Sequence, residues 1–262
     1  MTTSIIIPVF NNVRFLSACV DSIINNTHNF EIILVDNNSN EPGIHQWYAS
    51  INNPAISIIK NQTNLGFGKA NNGGFKKSRG DYIVLMNSDM LATPNWLPPL
   101  IERLESSSAI GAVQSKIMLA DDNPVAAWKT QTCGARFSDD GMPVYYLNGF
   151  TVNAPEVGRA FELEAFMGTG VLLRRSAIEQ CGFFDEAYDL VFMEDTDLSL
   201  RFSQAGYAIW YEPRSLLYHF HSASMPHLTQ ADYDRSRLSN AALFKQKWPN
   251  GAIVRIVKKQ GF

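Results

Sequence analysis

SIIIPVFNN at Ser4–Asn12, EIILVDNNSNE at Glu31–Glu41 and DYIVLMNSDM at Asp81–Met90 decide the fold. Each carries a short continuous apolar run that ends in Asn or Asp. Runs this short read as strands buried on both faces. Between the first two, Arg14–Asn26 sets Phe15, Leu16, Cys19, Val20, Ile23 and Ile24 at helical spacing. Working outward, Glu41–Ser50 reads as a short helix and Ala55–Ile59 as a third strand. Phe67–Ser78 is a helix after a Gly-containing turn, and Asn95–Glu105 a Pro-bounded helix. Strands alternating with helices predict an α/β fold, a mostly parallel sheet with helices on both faces.

From about Gly111 to Phe166 the rhythm is lost. Gly, Pro and aromatic residues separate short apolar runs, which reads as strands and loops over the sheet's C-terminal edge. Gly170–Leu173 resumes as a strand and Arg175–Gln180 as a helix. Asp195–Ala205 is a helix closed by Gly206. Ala208–Tyr211 and Leu216–His219 read as two short strands. Thr229–Trp248 is a terminal helix, with Thr229 and Asp232 spaced as in a capping box. The expected units are 1–225, with halves 1–110 and 111–225, and a C-terminal helix and tail, 226–262.

The 262 residues are 45% hydrophobic and 18% charged, an ordinary globular composition. No apolar stretch approaches the roughly 20 residues that span a bilayer. Cys19, Cys133 and Cys181 are far apart and match neither a disulfide framework nor a zinc pattern. A reducing, cytoplasmic setting is expected. Net charge is −3, unevenly spread: no acid follows Asp234, whereas Arg235, Arg237, Lys245, Lys247, Arg255, Lys258 and Lys259 do. The acidic body argues against a nucleic-acid partner. The tail has two readings. It docks peripherally on the anionic inner face of the cytoplasmic membrane, or Tyr233, Ala241, Phe244 and Trp248 pack it on the body.

Ligands of open α/β sheets bind at the carboxyl ends of strands. Those ends carry Phe10-Asn11-Asn12, Asp36-Asn37-Asn38-Ser39, Asn64-Leu65-Gly66-Phe67 and Asn87-Ser88-Asp89. One polar exit is ordinary turn chemistry; four in succession point to a ligand site. Asp89 either holds a divalent cation against phosphates or caps a turn. In Glu194-Asp195-Thr196-Asp197, acids suit a helix start and an ion pair with Arg201 accounts for Asp197. Asp195 is the candidate to take a proton from a hydroxyl. His219 and His221 would share one strand face, as ligands or as a half-exposed edge.

Together with NLGFGKANNGG (Asn64–Gly74), FMGTGVLLRRSAIEQCGFFDE (Phe166–Glu186), FMEDTDLSLRFSQAGYAIWYEP (Phe192–Pro213) and LYHFHSAS (Leu217–Ser224), these segments resemble family 2 of the inverting glycosyltransferases, in its rhamnosyltransferase-like branch. The resemblance spans roughly Ser4–Ser224. It implies a GT-A-type fold. It also implies a nucleotide-sugar donor, dTDP-rhamnose or a UDP-sugar, and a glycan or lipid-linked glycan acceptor of cell-envelope polysaccharide synthesis. By position, Pro8, Phe10, Asp36 and Asn38 would contact the nucleotide, and Asn64, Gly66, Lys69 and Asn72 would border it and its phosphates. Asn87-Ser88-Asp89 stands where the family has D-x-D, with Asn87 replacing the first Asp. Asp89 and His219 would hold Mg or Mn. Gly168, Thr169 and Glu194 would line the acceptor side, and Asp195 would be the general base. Two other readings remain. A nucleotidyltransferase would carry a Gly-rich, Arg-containing loop after the first strand, where PVFNN stands. A catalytically inactive nucleotide- or sugar-binding module would share the fold.

Overall fold

A computed structural model describes residues 2–120, 129–220 and 228–249. The elements run β1 (Thr3–Val9), α1 (Val13–Asn26), β2 (Phe30–Asp36), α2 (Ile44–Ser50), β3 (Ile56–Lys60), α3 (Gly66–Lys77), β4 (Tyr82–Leu85), β5 (Met90–Ala92), α4 (Leu97–Glu105) and β6 (Ile110–Leu119). They continue with β7 (Thr130–Thr132), β8 (Ala135–Phe137), β9 (Pro143–Tyr145), β10 (Phe161–Leu163), β11 (Val171–Arg174), α5 (Arg175–Cys181), α6 (Glu194–Gln204), β12 (Ala208–His219) and α7 (Gln230–Lys247).

The main sheet has the order β10-β12-β6-β11-β4-β1-β2-β3, with β5 on β12 and β7 on β6. β3, β2, β1 and β4 are parallel, as are β6 and β12. Antiparallel β11 joins the two sets. The apolar run of β1 divides between two cores, because successive strand side chains point to opposite faces. Ile5, Ile7 and Val9 pack with Leu16, Val20 and Ile23 of α1 and Leu100 of α4. Ile6 packs with Ala70 of α3, Ile178 of α5 and Leu198 of α6. Each such aliphatic side chain stabilises the fold by about 1.5–3 kcal/mol when fully buried.

Two readings of the sequence are corrected. The stretch after Gly111 contains β6, a ten-residue strand in the middle of the sheet. Its polar Gln114, Ser115 and Lys116 are all buried. Gln114 Nε2 donates to the Thr169 and Gly170 carbonyls, and Ser215 Oγ donates to Ser115 Oγ. Ala208–His219 is one strand, with a register shift between Glu212 and Leu216. Pro213 falls in that irregularity, where a missing ladder donor is tolerated.

Helix α7 opens with Thr229 Oγ1 accepting from Asp232 N. Its Phe244, followed by Trp248, packs on Tyr188 and Leu200. Lys247 pairs with Asp185 and Asp197, and Arg235 with Asp189. The basic side chains Arg255, Lys258 and Lys259 and His221 lie outside the described residues, as does the 121–128 stretch. Among the described residues no helix is long and apolar enough to cross a membrane.

Candidate functional site

β1 leads through α1 to β2 on one side, while β4 lies on its other side, so the chain reverses direction across the sheet at β1 and β4. Their carboxyl ends open on a cleft of about 550 Å³, ample for a small ligand. Pro8, Phe10, Asn64, Gly66, Asn87, Ser88 and Asp89 line it, together with Gly168, Thr169, Glu194, Asp195 and His219. Asp36, Asn38, Lys69 and Asn72 are not among the lining residues. Asp36 is buried, with Oδ1 accepting from Ser39 N at 2.9 Å, and Asn38 is an exposed left-handed turn residue. Lys69 is half-buried on α3. Asn72 ties α3 to the chain ahead of α6: its Nδ2 donates to Phe184 O and Glu186 Oε1, and its Oδ1 accepts from Phe184 N.

On one wall, antiparallel pairing of β5 with β12 sets Met90 opposite His219 and so brings Asp89 to the imidazole. Asp89 Oδ1 lies 2.9 Å from His219 Nε2, and both residues are buried. On the ring's far side, Nδ1 lies 2.7 Å from Gln131 Oε1. A glutamine oxygen only accepts, so Nδ1 carries a proton. Nε2 faces a carboxylate oxygen, an arrangement that calls for a proton or a cation between them. Among the described residues no group of three or more His, Cys, Asp and Glu could hold a metal. An imidazole nitrogen and a carboxylate oxygen are donors that a divalent cation such as Mn would accept, with water and phosphate oxygens supplying the rest of its shell.

On the other wall stands Asp195, in the first turn of α6 and partly open to the cleft. Its Oδ2 accepts from Gly168 N at 2.8 Å, and its Oδ1 accepts from Thr196 N at 2.7 Å. A Cβ at position 168 would come within 3.2 Å of Asp195 Oδ2 and 3.0 Å of the Phe67 ring, so glycine keeps this approach open. The next residue, Thr169, accepts from Asn87 N through Oγ1. Gly168-Thr169 therefore ties the α6 carboxylate to the β4 exit. Buried Gln114 holds that strap, accepting from Met167 N and donating to two of its carbonyls.

Burial raises the Asp195 carboxyl above its usual range, against the lowering effect of the Gly168 and Thr196 donors. Glu194 is raised well above its usual value, by burial first and then by the charge of Asp195. Its Oε2 is buried without a hydrogen-bond partner. Two adjacent carboxyls with different surroundings can hold one proton and one charge between them. Asp197 points away from the cleft. Arg201, Lys247, Tyr188 and the Trp248 indole N–H surround its carboxylate, which gives it a structural role.

Asn37, Gln131, Thr132, Tyr145, Phe192 and Tyr233 also line the cleft. From sequence, Asn37 is only part of a polar strand exit and Tyr233 only a packing residue, and the other four carry no signal. Gln131 is 88 positions from the histidine it touches, and no local pattern announces such a partner. Val144 and Tyr145 of β9 are both exposed at the rim.

A family model described as "Glycosyl transferase family 2" matches residues 4–182. The chain is 27% identical over 244 residues to the O-antigen biosynthesis protein RfbC of Myxococcus xanthus, an alignment covering 88% of this chain and 18% of that protein. The chain spans a quarter or less of the length of the first curated relatives it matches. Its fold is similar to that of GalNAc-T7, solved with UDP, GalNAc and Mn2+, at a TM-score of 0.69 and 17% identity over 84% of this chain and 44% of that one. It is likewise similar to S. aureus TarS 1-349 in complex with UDP, at 0.58 and 15% identity over 83% and 60%. Both likenesses bear on the fold, which is the GT-A-type α/β architecture.

Proposed function

The chain belongs to glycosyl transferase family 2, and from that premise we propose that it moves a sugar from a nucleoside-diphosphate donor to a hydroxyl of a glycan or lipid-linked glycan. The observation that carries the reading is one cleft with the Asp89–His219 pair on one wall and Asp195 on the other, at the sheet's switch point. The nucleotide takes the side lined by Pro8, Phe10, Asn64 and Gly66. Asp89 and His219 would hold a divalent cation, Mg or Mn, which when bound would neutralise charge on the diphosphate leaving group. Gln131 orients the imidazole so that Nε2 faces that position.

The acceptor enters between Tyr145 and the Glu194–Asp195 wall. Asp195 takes the proton of the attacking hydroxyl, its orientation held by Gly168 N and Thr196 N. Glu194 stays neutral beside it and leaves the single negative charge on Asp195. Attack from the wall opposite the leaving group gives single displacement with inversion. The UDP named in both structural relatives supports a UDP-sugar over dTDP-rhamnose, and the O-antigen role named for RfbC supports a polysaccharide acceptor.

The test is a screen of UDP-sugars and dTDP-rhamnose, with and without Mn, read by nucleoside diphosphate release. Turnover of one donor that EDTA abolishes is the expected result. Tight nucleotide binding by calorimetry with no turnover of any donor would leave an inactive binding module instead.

A further inference from the structure

Helix α6 begins from a costly backbone conformation. Phe192 and Met193, just before Glu194 and Asp195, are both left-handed, with φ of 84° and 73°. Neither is glycine, and such a conformation costs free energy for a residue with a side chain and persists only where surroundings enforce it. Met193 is the N-cap and makes no side-chain capping bond. The enforcement comes from outside α6.

It comes from two directions. On the α3 side, Leu190 O accepts from Phe67 N at 2.6 Å, and a Cβ on Gly66 would lie 2.4 Å from Leu190 Cα. On the α7 side stands Asn240, 2% exposed. The two hydrogens on its Nδ2 are shared among the carbonyls of Asp189, Val191 and Phe192, at 2.9, 2.8 and 3.1 Å, and its Oδ1 accepts from Asp189 N at 2.9 Å. All of these contacts go to the 189–192 turn. Ser236, one turn earlier on α7, donates to Asp189 Oδ2. An amide matched to a turn in this way over-determines a conformation that the turn's own residues disfavour.

We propose that Asn240 is a positioning residue for the Asp195 base, holding the left-handed turn from which α6 starts and thereby aiming the carboxylate at the acceptor. The inference rests on the glycosyl-transfer reading, with Asp195 as base. It gives Asn240, on α7 and outside the residues 4–182 matched by the family model, a part in the reaction without contact with substrate.

The experiment uses the full chain with Asn240→Ala, Asn240→Asp and the double variant Met193→Gly/Asn240→Ala. Asn240→Asp keeps the acceptor for Asp189 N and loses the donors to the three carbonyls, so it stands in if the alanine variant does not fold. The first readout is hydrogen exchange across residues 187–197, which needs no activity. Faster exchange there, with the β1–β4 strands unchanged, is expected. The second is kcat and donor KM measured separately. A carboxylate displaced by about 1 Å costs up to about 10²-fold in rate, so kcat falls tenfold or more while donor KM moves less. Glycine adopts the left-handed conformation without strain, so Met193→Gly restores part of the lost kcat. Unchanged exchange, unchanged kcat in a folded variant, or no recovery with glycine would each overturn the proposal. If the wild-type chain turns over no nucleotide sugar, the functional reading fails by itself. Exchange and a crystal structure of Asn240→Ala, read at the Asp195–Gly168 contact, then judge the clamp alone.

Discussion

Replacing Asp195 by Asn separates its chemical role from its structural one. The carboxylate accepts from Gly168 N through Oδ2, and from Thr196 N and Thr196 Oγ1 through Oδ1. An amide keeps one of those oxygens and turns the other into a donor facing an N–H. That forfeits one hydrogen bond, worth about 1–3 kcal/mol when a buried donor is left unmet. Removing a charge that burial already disfavours offsets part of the loss. The variant should therefore fold and bind nucleotide as the wild type does. Proton removal has no such compensation. A general base contributes about 10²–10⁴-fold, or about 2.7–5.4 kcal/mol at 1.36 kcal/mol per decade. The pH profile adds a second signature. Because the Asp195 carboxyl is raised, its basic form is lost on acidification at a pH above the usual carboxylate range, and wild-type kcat falls there. The variant's residual rate shows no such limb. The assay is nucleoside diphosphate release across pH, with nucleotide affinity by calorimetry as the control. A variant within a few-fold of wild-type kcat, with the acid limb intact, refutes Asp195 as the base.

Asp89→Ala and His219→Ala should each abolish the Mn-dependent part of nucleoside diphosphate binding; affinity that is insensitive to EDTA in the wild type would remove the cation from the site. Glu194→Gln tests linkage. A carboxyl raised in the folded state contributes most stability below its unfolded pKa, and that contribution fades as pH rises through the folded value. Denaturant midpoints of variant and wild type should therefore shift in the variant's favour from acid to neutral pH, and parallel pH curves would contradict a neutral Glu194. Asp197→Ala strips a buried carboxylate from Arg201 and Lys247 and should cost about 3 kcal/mol, read as a lower melting temperature; an unchanged melt would show the network to be idle. Gly66→Ala would set a Cβ 2.4 Å from Leu190 Cα at a residue with φ of 81°, and roughly 3 kcal/mol or more of stability should be lost. A stable alanine variant would mean that the 189–193 turn yields easily, which would weaken the clamp argument too.

The parallel half of the sheet was legible in the sequence because its cause is local. Ile5–Ile7, Ile32–Val35 and Ile83–Leu85 are apolar on both faces, and only a strand covered by helices on each side buries such a run. The polar exits were legible for the same reason, since Asn and Asp end strands by their own turn chemistry. The central place of β6 is not, because its polar Gln114 and Ser115 interrupt the apolar run and find their partners Thr169, Gly170 and Ser215 only when the chain closes. β12 reads as two strands in the sequence because a register shift is a property of a pair, not of a segment.

The sequence by itself determined the fold class and, with the family resemblance, which side chains were candidates for chemistry. Only the tertiary structure decided how they meet. Asp89 reaches His219 through a strand pairing 130 positions apart, and Gln131 completes the pair from a third element. Asn240 reaches the turn before Asp195 from a helix some 50 residues downstream. Contacts of that range form when the whole chain condenses and each buried polar group must find a partner. Local propensity and periodicity carry no record of which partner it will be.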